Sequence, residues 1–361
     1  MVGFRVSSQI KIKSHKGEYS AKFIRGGMDQ LNRNPIEDAI YLIDQNIAKL
    51  YAKRLNNILS ARVLIIKANE TNKSLSYFPN YIKELVKLNI KRGQMLVAIG
   101  GGVIQDITCF LATTLMRGLP WAFYPTTLLA QADSCIGSKS SINSGDIKNI
   151  LGTFTPPKFI VIDIDFLQTL KTKEIYSGIG EMIKVHAINS PKSFDKIASS
   201  YEKIIVDFKF MENYIHNSLL MKKKLIEDDE FDTGPRNIMN YGHSFGHAIE
   251  TATNYKIPHG IAVTIGMDLA NFFAADVGVS TWGHFERMHS LLEKNCYSFR
   301  HIRIDSDLLV AALKKDKKNS ATQLRLILPN KNGDISIVPR DNNKVLSKSI
   351  NKYFTKYSKA V

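Results

Sequence analysis

Cysteine is scarce in this sequence. Its three residues, Cys109, Cys135 and Cys296, are far apart and odd in number. Such a set builds no disulfide framework, and without a CxxC pair it offers no zinc knuckle, so free core thiols are expected. Long apolar runs are lacking too. A bilayer span needs about 18 uninterrupted apolar residues, and the apolar stretch from Ile107 to Ala130 is broken by Arg117 and Pro120. Met1 to Tyr19 has no apolar core of the signal-peptide type. A cytoplasmic protein with no membrane partner is the expectation. Internal repeats and low-complexity linkers are missing as well. Acidic residues are the minority charge, 33 against 49 Lys and Arg, for a net charge of +16. An excess of that size invites a nucleic-acid reading. Yet the basic residues are spread along the chain. The densest clusters, Lys222-Lys223-Lys224 and Lys314-Lys315 with Lys317-Lys318, are short and carry no stacking aromatics. A solvated basic surface is the simpler account, with no nucleic-acid partner. A third account is that some of these lysines bind an anionic substrate.

What is present fits an ordinary globular protein: 44% hydrophobic and 23% charged residues in a chain of 361. Single cores stop growing at about 250–300 residues, so two domains are expected. Phe4–Lys13 and Tyr19–Ile24 flank Lys16-Gly17 and predict a hairpin. Ile40–Asp44, Val63–Lys67, Met95–Gly100, Trp121–Tyr124 and Phe159–Asp163 are short and rich in Val, Ile, Leu or aromatics. Between Ile40 and Gly100 such runs are separated by helix-length segments, the spacing of a largely parallel α/β sheet. From about Phe166 helical patterns dominate, over Lys173–Asn189, Met211–Glu227, Ile238–Tyr255 and Gly260–Val277. Leu324–Leu328 and Ile335–Val338 flank Asn332-Gly333, a hairpin turn signal. The fold expected is a Rossmann-like α/β domain over residues 1–165 and a mainly α-helical domain over 166–361.

Two constellations carry chemistry. Gly100-Gly101-Gly102-Val103 follows a strand and precedes a helical stretch starting near Gln105. Glycines at such a turn let backbone N–H groups approach a phosphate, and a helix N-terminus favours negative charge. This run is neither GxGxxG nor a P-loop, and a mere tight turn competes with it evenly. Asp44 ends an earlier strand and can accept ribose hydroxyls, and Thr126-Thr127 add hydroxyls at another strand end. The second constellation is Glu181 and Lys184, at i, i+3 on a helix, with Asn240, His243 and His247 at i, i+3, i+7 on one helical stripe. His259 opens the next helix after Pro258. Gly242 and Gly246 border the stripe. A helix-interior glycine costs about 1 kcal/mol, so two of them suggest close approach of another backbone or of a ligand. Imidazoles and a carboxylate from separate helices suit zinc or a similar ion. Spacing alone does not say which histidines ligate. His15, His186, His216, His284, His289 and His301 are read as core or surface residues.

The segments GGGVIQD (Gly100–Asp106), MRG (Met116–Gly118), PTTLLAQADSCIGSKSSIN (Pro125–Asn143), KNILGTF (Lys148–Phe154), GIGEMIK (Gly178–Lys184), RNIMNYGHSFGHAIE (Arg236–Glu250), HG (His259-Gly260) and DKK (Asp316–Lys318) are present in this order. With them the sequence resembles the 3-dehydroquinate synthase family of sugar phosphate cyclases over most of its length. The resemblance implies NAD and a divalent metal, zinc or cobalt, as cofactors. It implies metal ligation by Glu181, His243 and His259, and moves His247 to substrate phosphate and catalysis. NAD would be held by Asp44, Glu70, Lys73, Gly101, Gly102, Val103, Asp106, Thr126, Thr127 and Lys148. Asp133, Lys184 and Asn240 would line the substrate. Lys139, Asn149, Lys317, Lys318 and Arg117 would surround its phosphate, with Arg117 contributed across a homodimer interface. Lys222 and Arg236 would hold its carboxylate.

The implied substrate is a seven-carbon keto acid phosphate, 3-deoxy-D-arabino-heptulosonate 7-phosphate. It is oxidised transiently, loses phosphate, is reduced again, and closes by internal aldol addition. A carboxylate suits arginine's planar fork. The family usually has Gly-Gly-Lys-Thr where this chain has Gly137-Ser138-Lys139-Ser140. It has a proline-containing stretch where this chain reads Ser144-Gly145-Asp146-Ile147-Lys148-Asn149, and commonly leucine in place of Pro235. These changes keep open a related cyclase of the amino-dehydroquinate, 2-deoxy-scyllo-inosose or 2-epi-5-epi-valiolone type. The pair Lys222 and Arg236 argues for a substrate with a carboxylate. A dehydrogenase of the related glycerol dehydrogenase type is opposed by Lys139, Asn149 and Arg117.

Overall fold

The computed structural model describes residues 6–145, 147–314, 323–341 and 344–357. The described chain divides into two compact units. The first comprises Met1–Leu170 with Lys222–Phe231, the second Lys171–Met221 with Asp232–Val361. The chain passes from the first unit to the second after Leu170. The return of Lys222–Phe231 to the first unit breaks the simple division into two halves.

The first unit is built on a seven-stranded sheet. Its strands are β1 (Val6–Ile12), β2 (Tyr19–Ile24), β3 (Ile40–Asp44), β4 (Val63–Ile66), β5 (Leu96–Gly100), β6 (Trp121–Pro125) and, after a separate two-stranded hairpin of β7 (Lys139–Ser144) and β8 (Ile147–Phe154), β9 (Phe159–Ile162). The order is β1-β2-β9-β6-β5-β3-β4. Only β1 and β2 pair antiparallel in it; the other neighbours are parallel. Strands buried on both faces read as unbroken apolar runs. β5 and β6 are buried at every position. The helices are α1 (Gly27–Arg33), α2 (Gln45–Leu50), α3 (Asn56–Leu59), α4 (Phe78–Lys87) and α5 (Gly102–Thr114). From β3 the chain goes to β4 on one side and returns to β5 on the other. The gap between the carboxyl ends of β3 and β5 is therefore a topological switch point, where open α/β sheets bind ligands. Asp44 and the glycine run stand on its two sides.

The departures from the family's usual residues between Ser138 and Lys148 fall in or beside a hairpin, in which β7 pairs antiparallel with β8 from Lys139 opposite Phe154. Its sequence, with three serines and an asparagine in β7, lacks the alternating apolar pattern by which strands are recognised.

Among the described residues the second unit is helical apart from the hairpin of β10 (Gln323–Pro329) and β11 (Ile335–Asp341). Its helices are α6 (Thr172–Asn189), α7 (Pro191–Val206), most of α8 (Phe208–Asp228), α9 (His243–Ala252), α10 (His259–Asp276), α11 (Trp282–Cys296), α12 (Ser306–Lys314) and α13 (Lys344–Tyr357). α10 is buried on all sides from Gly260 to Ala275 and packs against α6, α9, α11 and α13. A helix apolar all round belongs in a core.

The continuous helix expected over Ile238–Tyr255 is not formed. A 3-10 turn covers Pro235–Asn240, and α9 starts only at His243. Gly242 between them has φ 76° and ψ −17°, left-handed and incompatible with α-helix. Tyr241 is buried, its hydroxyl donating to Asn271, which fixes the chain at the break. Asn240 therefore does not share a helical stripe with His243 and His247. The glycines answer to another backbone. A Cβ on Gly246 would stand 3.1 Å from the backbone of Val263 on α10, and one on Gly242 2.7 Å from the Val263 carbonyl. Gly180 of α6 and Gly260 of α10 meet in the same way, each placed where a Cβ would overlap the other helix's carbonyl oxygens. These contacts bring α6, α9 and the start of α10 close enough to share one cluster of side chains.

Candidate active site

At the switch point, α5 begins at Gly102, and no side chain caps its first turn. The three glycines differ in purpose. A Cβ on Gly100 would strike Ile104 and one on Gly101 would stand 2.8 Å from Thr127 Cγ2, whereas one on Gly102 would find only Ser134 Oγ at 4.0 Å. Gly102 thus leaves open the space before the helix N-terminus, the cradle a pyrophosphate needs. Asp44 caps α2, its Oδ1 accepting from Asn46 N at 2.8 Å. Desolvation raises its pKa against that bond. Its second oxygen is the one suited to ribose hydroxyls. Thr126 N donates to Gly100 O at 2.9 Å, and Thr127 Oγ1 accepts from Ala130 N at 3.2 Å.

Glu70, Lys73, Asp106 and Asn149 form one polar network. Lys73 Nζ lies 3.0 Å from Asp106 Oδ2 and 3.5 Å from Glu70 Oε1, and donates to Asn149 Oδ1 at 3.0 Å. Ser141 Oγ also donates to Asn149 Oδ1. With its oxygen occupied, Asn149 has its amide Nδ2 as the group to offer an anion. Burial raises the pKa of Asp106, opposed by the Lys73 charge. The resemblance divides these residues between NAD and phosphate, and the structure joins them. Lys139 begins β7 and is exposed, its Nζ 5.8 Å from the centre of the Phe154 ring. Lys148 is half-buried on β8. Arg117 is exposed on a turn where both it and Met116 have positive φ.

Ser138 stands where glycine is usual in the family and has φ 64°. A left-handed conformation costs a non-glycine residue roughly 1–2 kcal/mol. Its hydroxyl donates to Glu230 Oε1 at 2.7 Å, which also accepts from Ser14 Oγ at 2.7 Å. Oε2 of the same carboxylate accepts from His15 N at 2.7 Å. This anchor keeps the glycine-type backbone before Lys139 with a serine in place.

Asp133 lies on a π-turn, Ala130–Ser134, a conformation frequent at functional sites. Lys222 Nζ sits 2.6 Å from its Oδ1 and donates to its carbonyl at 2.6 Å. Lys222 is 7% exposed, so it is not part of a solvated basic surface. Its neighbour Lys223 pairs with Glu227 at 3.6 Å. The pairing with Asp133, together with the bonds that Glu227 accepts from Lys13 N and Glu230 from Ser14, His15 and Ser138, ties Lys222–Phe231 to the first unit.

In the second unit the close helix packing assembles the histidines. Glu181 of α6 is 1% exposed, with its Oε2 2.5 Å from Lys184 Nζ. Its Oε1 faces His259 Nε2 at 3.4 Å and His243 Nε2 at 3.8 Å. Donors around a common zinc-sized ion in a tetrahedron stand roughly 3.4 Å apart. Glu181, His243 and His259 therefore fit a divalent ion, and their ligand atoms lie within 4.8 Å of one another. Desolvation, helped by the Lys184, His259 and His247 charges, holds His243 well below the usual histidine range and so neutral, as a ligand must be. Desolvation pulls His259 down too, but the hydrogen bonds and charges of Glu181 and Glu250 overcome it and raise its pKa to about 10. A divalent cation held among the same carboxylates would take the place of that proton. His247, one turn beyond His243, is exposed. It falls in a second group, His247, Glu250 and His259, also able to hold an ion. Arg236 is 4% exposed on the 3-10 turn, and Asn240 ends that turn with its Nδ2 donating to Asn237 O at 3.0 Å. Lys317 and Lys318 lie outside the described residues. Glu230 and Glu250 were not singled out from sequence. For Glu250 a signal existed, since it follows His243 by seven residues on one helix face.

Two histidines read as core residues are so. Desolvation lowers His186 and His284 each to about 4. A folded pKa below the unfolded 6.5 means that the native state binds fewer protons. The stabilisation is complete above pH 6.5 and is lost as pH falls toward 4. Acid unfolding is expected to begin just below pH 6.5, at roughly 2 kcal/mol per histidine by pH 5. Denaturant titrations between pH 7 and 5 measure this. A pH-independent midpoint contradicts it.

Two family models match the chain, 3-dehydroquinate synthase N-terminal over residues 63–177 and 3-dehydroquinate synthase C-terminal over residues 178–319. The chain belongs to the 3-dehydroquinate synthase family. The 3-dehydroquinate synthase of Dictyoglomus thermophilum is 36% identical over 332 residues, 91% of each chain. Among solved structures, a 2-deoxy-scyllo-inosose synthase complexed with carbaglucose-6-phosphate, NAD+ and Co2+ has a TM-score of 0.84 at 20% identity, covering 96% of this chain and all of that one. The 2-epi-5-epi-valiolone synthase of Streptomyces hygroscopicus, with NAD+ and Zn2+ bound, gives 0.80 at 24% identity over 98% and 99%. At such identities these establish the fold. The dehydroquinate synthase family is one of enzymes.

Proposed function

We propose that this chain is an NAD- and metal-dependent carbon–oxygen lyase that converts 3-deoxy-D-arabino-heptulosonate 7-phosphate to 3-dehydroquinate and phosphate. The observation that carries this is the convergence of Glu181, His243 and His259 on one point, with Lys184 against the carboxylate. When bound, NAD would take and return one hydride at a single carbon whose oxygen a zinc or cobalt ion on these three residues would polarise. In the first unit, the α5 N–H groups at Gly101, Gly102 and Val103 receive the pyrophosphate. Asp44, Thr126, Thr127, Glu70, Lys73, Asp106 and Lys148 place the rest of the nucleotide. Lys139, Asn149 Nδ2, Lys317 or Lys318, His247 and Arg117 of a second copy surround the substrate phosphate. Lys222 and Arg236 clamp its carboxylate. Asp133, Asn240 and Lys184 hold its hydroxyls and move the protons that oxidation and ring closure require.

No described helix is long and apolar enough to cross a membrane. We place the chain in the cytoplasm as a homodimer acting on a small sugar acid phosphate, on its resemblance to the family. The decisive experiment supplies the purified protein with NAD, Co2+ or Zn2+ and the seven-carbon substrate, and measures inorganic phosphate. Release without net NADH is the expected result. An inert mixture overturns the reading. The serine at 138 and the altered hairpin favour, as second reading, a sibling cyclase with another sugar phosphate. Turnover of such a compound, undiminished in Arg236→Ala, would establish it.

A further inference from the structure

The imidazoles of His243 and His259 are held from behind by different groups. His243 turns its Nε2 to Glu181 and sets its Nδ1 3.2 Å from the Tyr241 carbonyl. His259 turns its Nε2 to the same oxygen and sets its Nδ1 3.2 Å from Glu250 Oε2. An imidazole that donates a proton from one nitrogen can ligate only through the other. The group behind it thus chooses the tautomer and fixes the ring. A backbone carbonyl is held by the fold. Glu250 is a side chain, recruited for this contact from the face of α9 that also carries His243. His259 needs such a holder more, because it is the first residue of α10 and its side chain is 34% exposed.

We propose that Glu250 is a positioning residue of the metal centre, holding His259 with Nε2 toward Glu181 and adding negative charge behind the ligand. The proposal rests on the assignment of a divalent ion to Glu181, His243 and His259. Its competitor is direct ligation, since Glu250, His247 and His259 form the second possible ion site.

The test compares the full chain with its Glu250→Gln and Glu250→Ala variants, using Zn2+ and Co2+ themselves. Affinity is read by competition with a chelator, and the ligand set by the visible spectrum of the Co2+ form. Loss of an outer-shell partner weakens metal binding by about 10–100-fold. That loss is expected of Glu250→Ala. The isosteric glutamine keeps an acceptor oxygen and is expected to lose less than about tenfold. All three proteins are expected to share one Co2+ spectrum. Unchanged affinity in Glu250→Ala overturns the proposal and leaves the ion site standing. Equal losses in both variants with an altered spectrum overturn it in favour of ligation. A wild-type chain that binds neither ion overturns the ion site and the proposal together.

Discussion

Glu181→Gln is expected to lower divalent-metal affinity by at least about a hundredfold and kcat/KM for phosphate release by at least about a thousandfold. The substitution keeps the side chain's shape and removes its charge. The charge contributes to ligation and faces two neutralisable imidazoles, and a bound ion stabilises developing oxyanion charge by several kcal/mol, about a thousandfold in rate. A second effect must be separated from the first. Lys184 is buried with its ammonium 2.5 Å from Glu181 Oε2, and a buried cation stripped of its partner destabilises the fold by about 3–5 kcal/mol. Glu181→Gln combined with Lys184→Met is expected to recover much of that stability and none of the metal binding. Metal content after dialysis, chelator competition and denaturation midpoints distinguish the two effects. A Glu181→Gln protein that retains its metal and works within tenfold of the wild type refutes the assignment.

The second large effect is expected at Lys222. Replacing it by methionine leaves the Asp133 carboxylate, 8% exposed, without the ammonium 2.6 Å away. A loss of about 3–5 kcal/mol in stability follows, located in the first unit. If Lys222 and Asp133 also serve the substrate, kcat/KM falls further than instability explains, and does so at temperatures where the variant is fully folded. The double variant Lys222→Met, Asp133→Asn is expected to be more stable than Lys222→Met alone, because no unpaired charge remains. Double-mutant analysis of denaturation curves measures the coupling. Additive effects of the two substitutions would show that the pair stores no interaction energy.

Much of the architecture was legible because it depends on local pattern. Ile40–Asp44 is a strand with the bounds its apolar run gives, and α6 and α10 fall within a residue or so of their periodic segments. The hairpin at Asn332-Gly333 formed, with Gly333 at φ 87°. The misses have equally local causes. The segment over Ile238–Tyr255 is helical in composition, yet Gly242 adopts a left-handed conformation that only its packing against Val263 and Met267 demands. β7 shows no period-two hydrophobicity because serines stand on both of its faces, Ser140 bonding to Thr153 of β8 and Ser141 to Asp106 of α5.

For the site, sequence by itself determined the chemical inventory. It supplied a glycine run at a strand end, a buried-type carboxylate beside a lysine, and three histidines on either side of a proline, in an order that marks a family. It could not choose among the histidines, because His243 and His247 are equivalent in spacing. Only the tertiary structure decided that His243 Nε2 faces Glu181 while His247 stays exposed. It alone paired Lys222 with Asp133 across 89 residues and put Glu250 behind His259. The physical reason is that periodicity fixes which face of a helix a side chain occupies. Which neighbour that face meets is fixed by how closely two helices approach, and here Gly180 against Gly260 and Gly246 against Val263 set that distance.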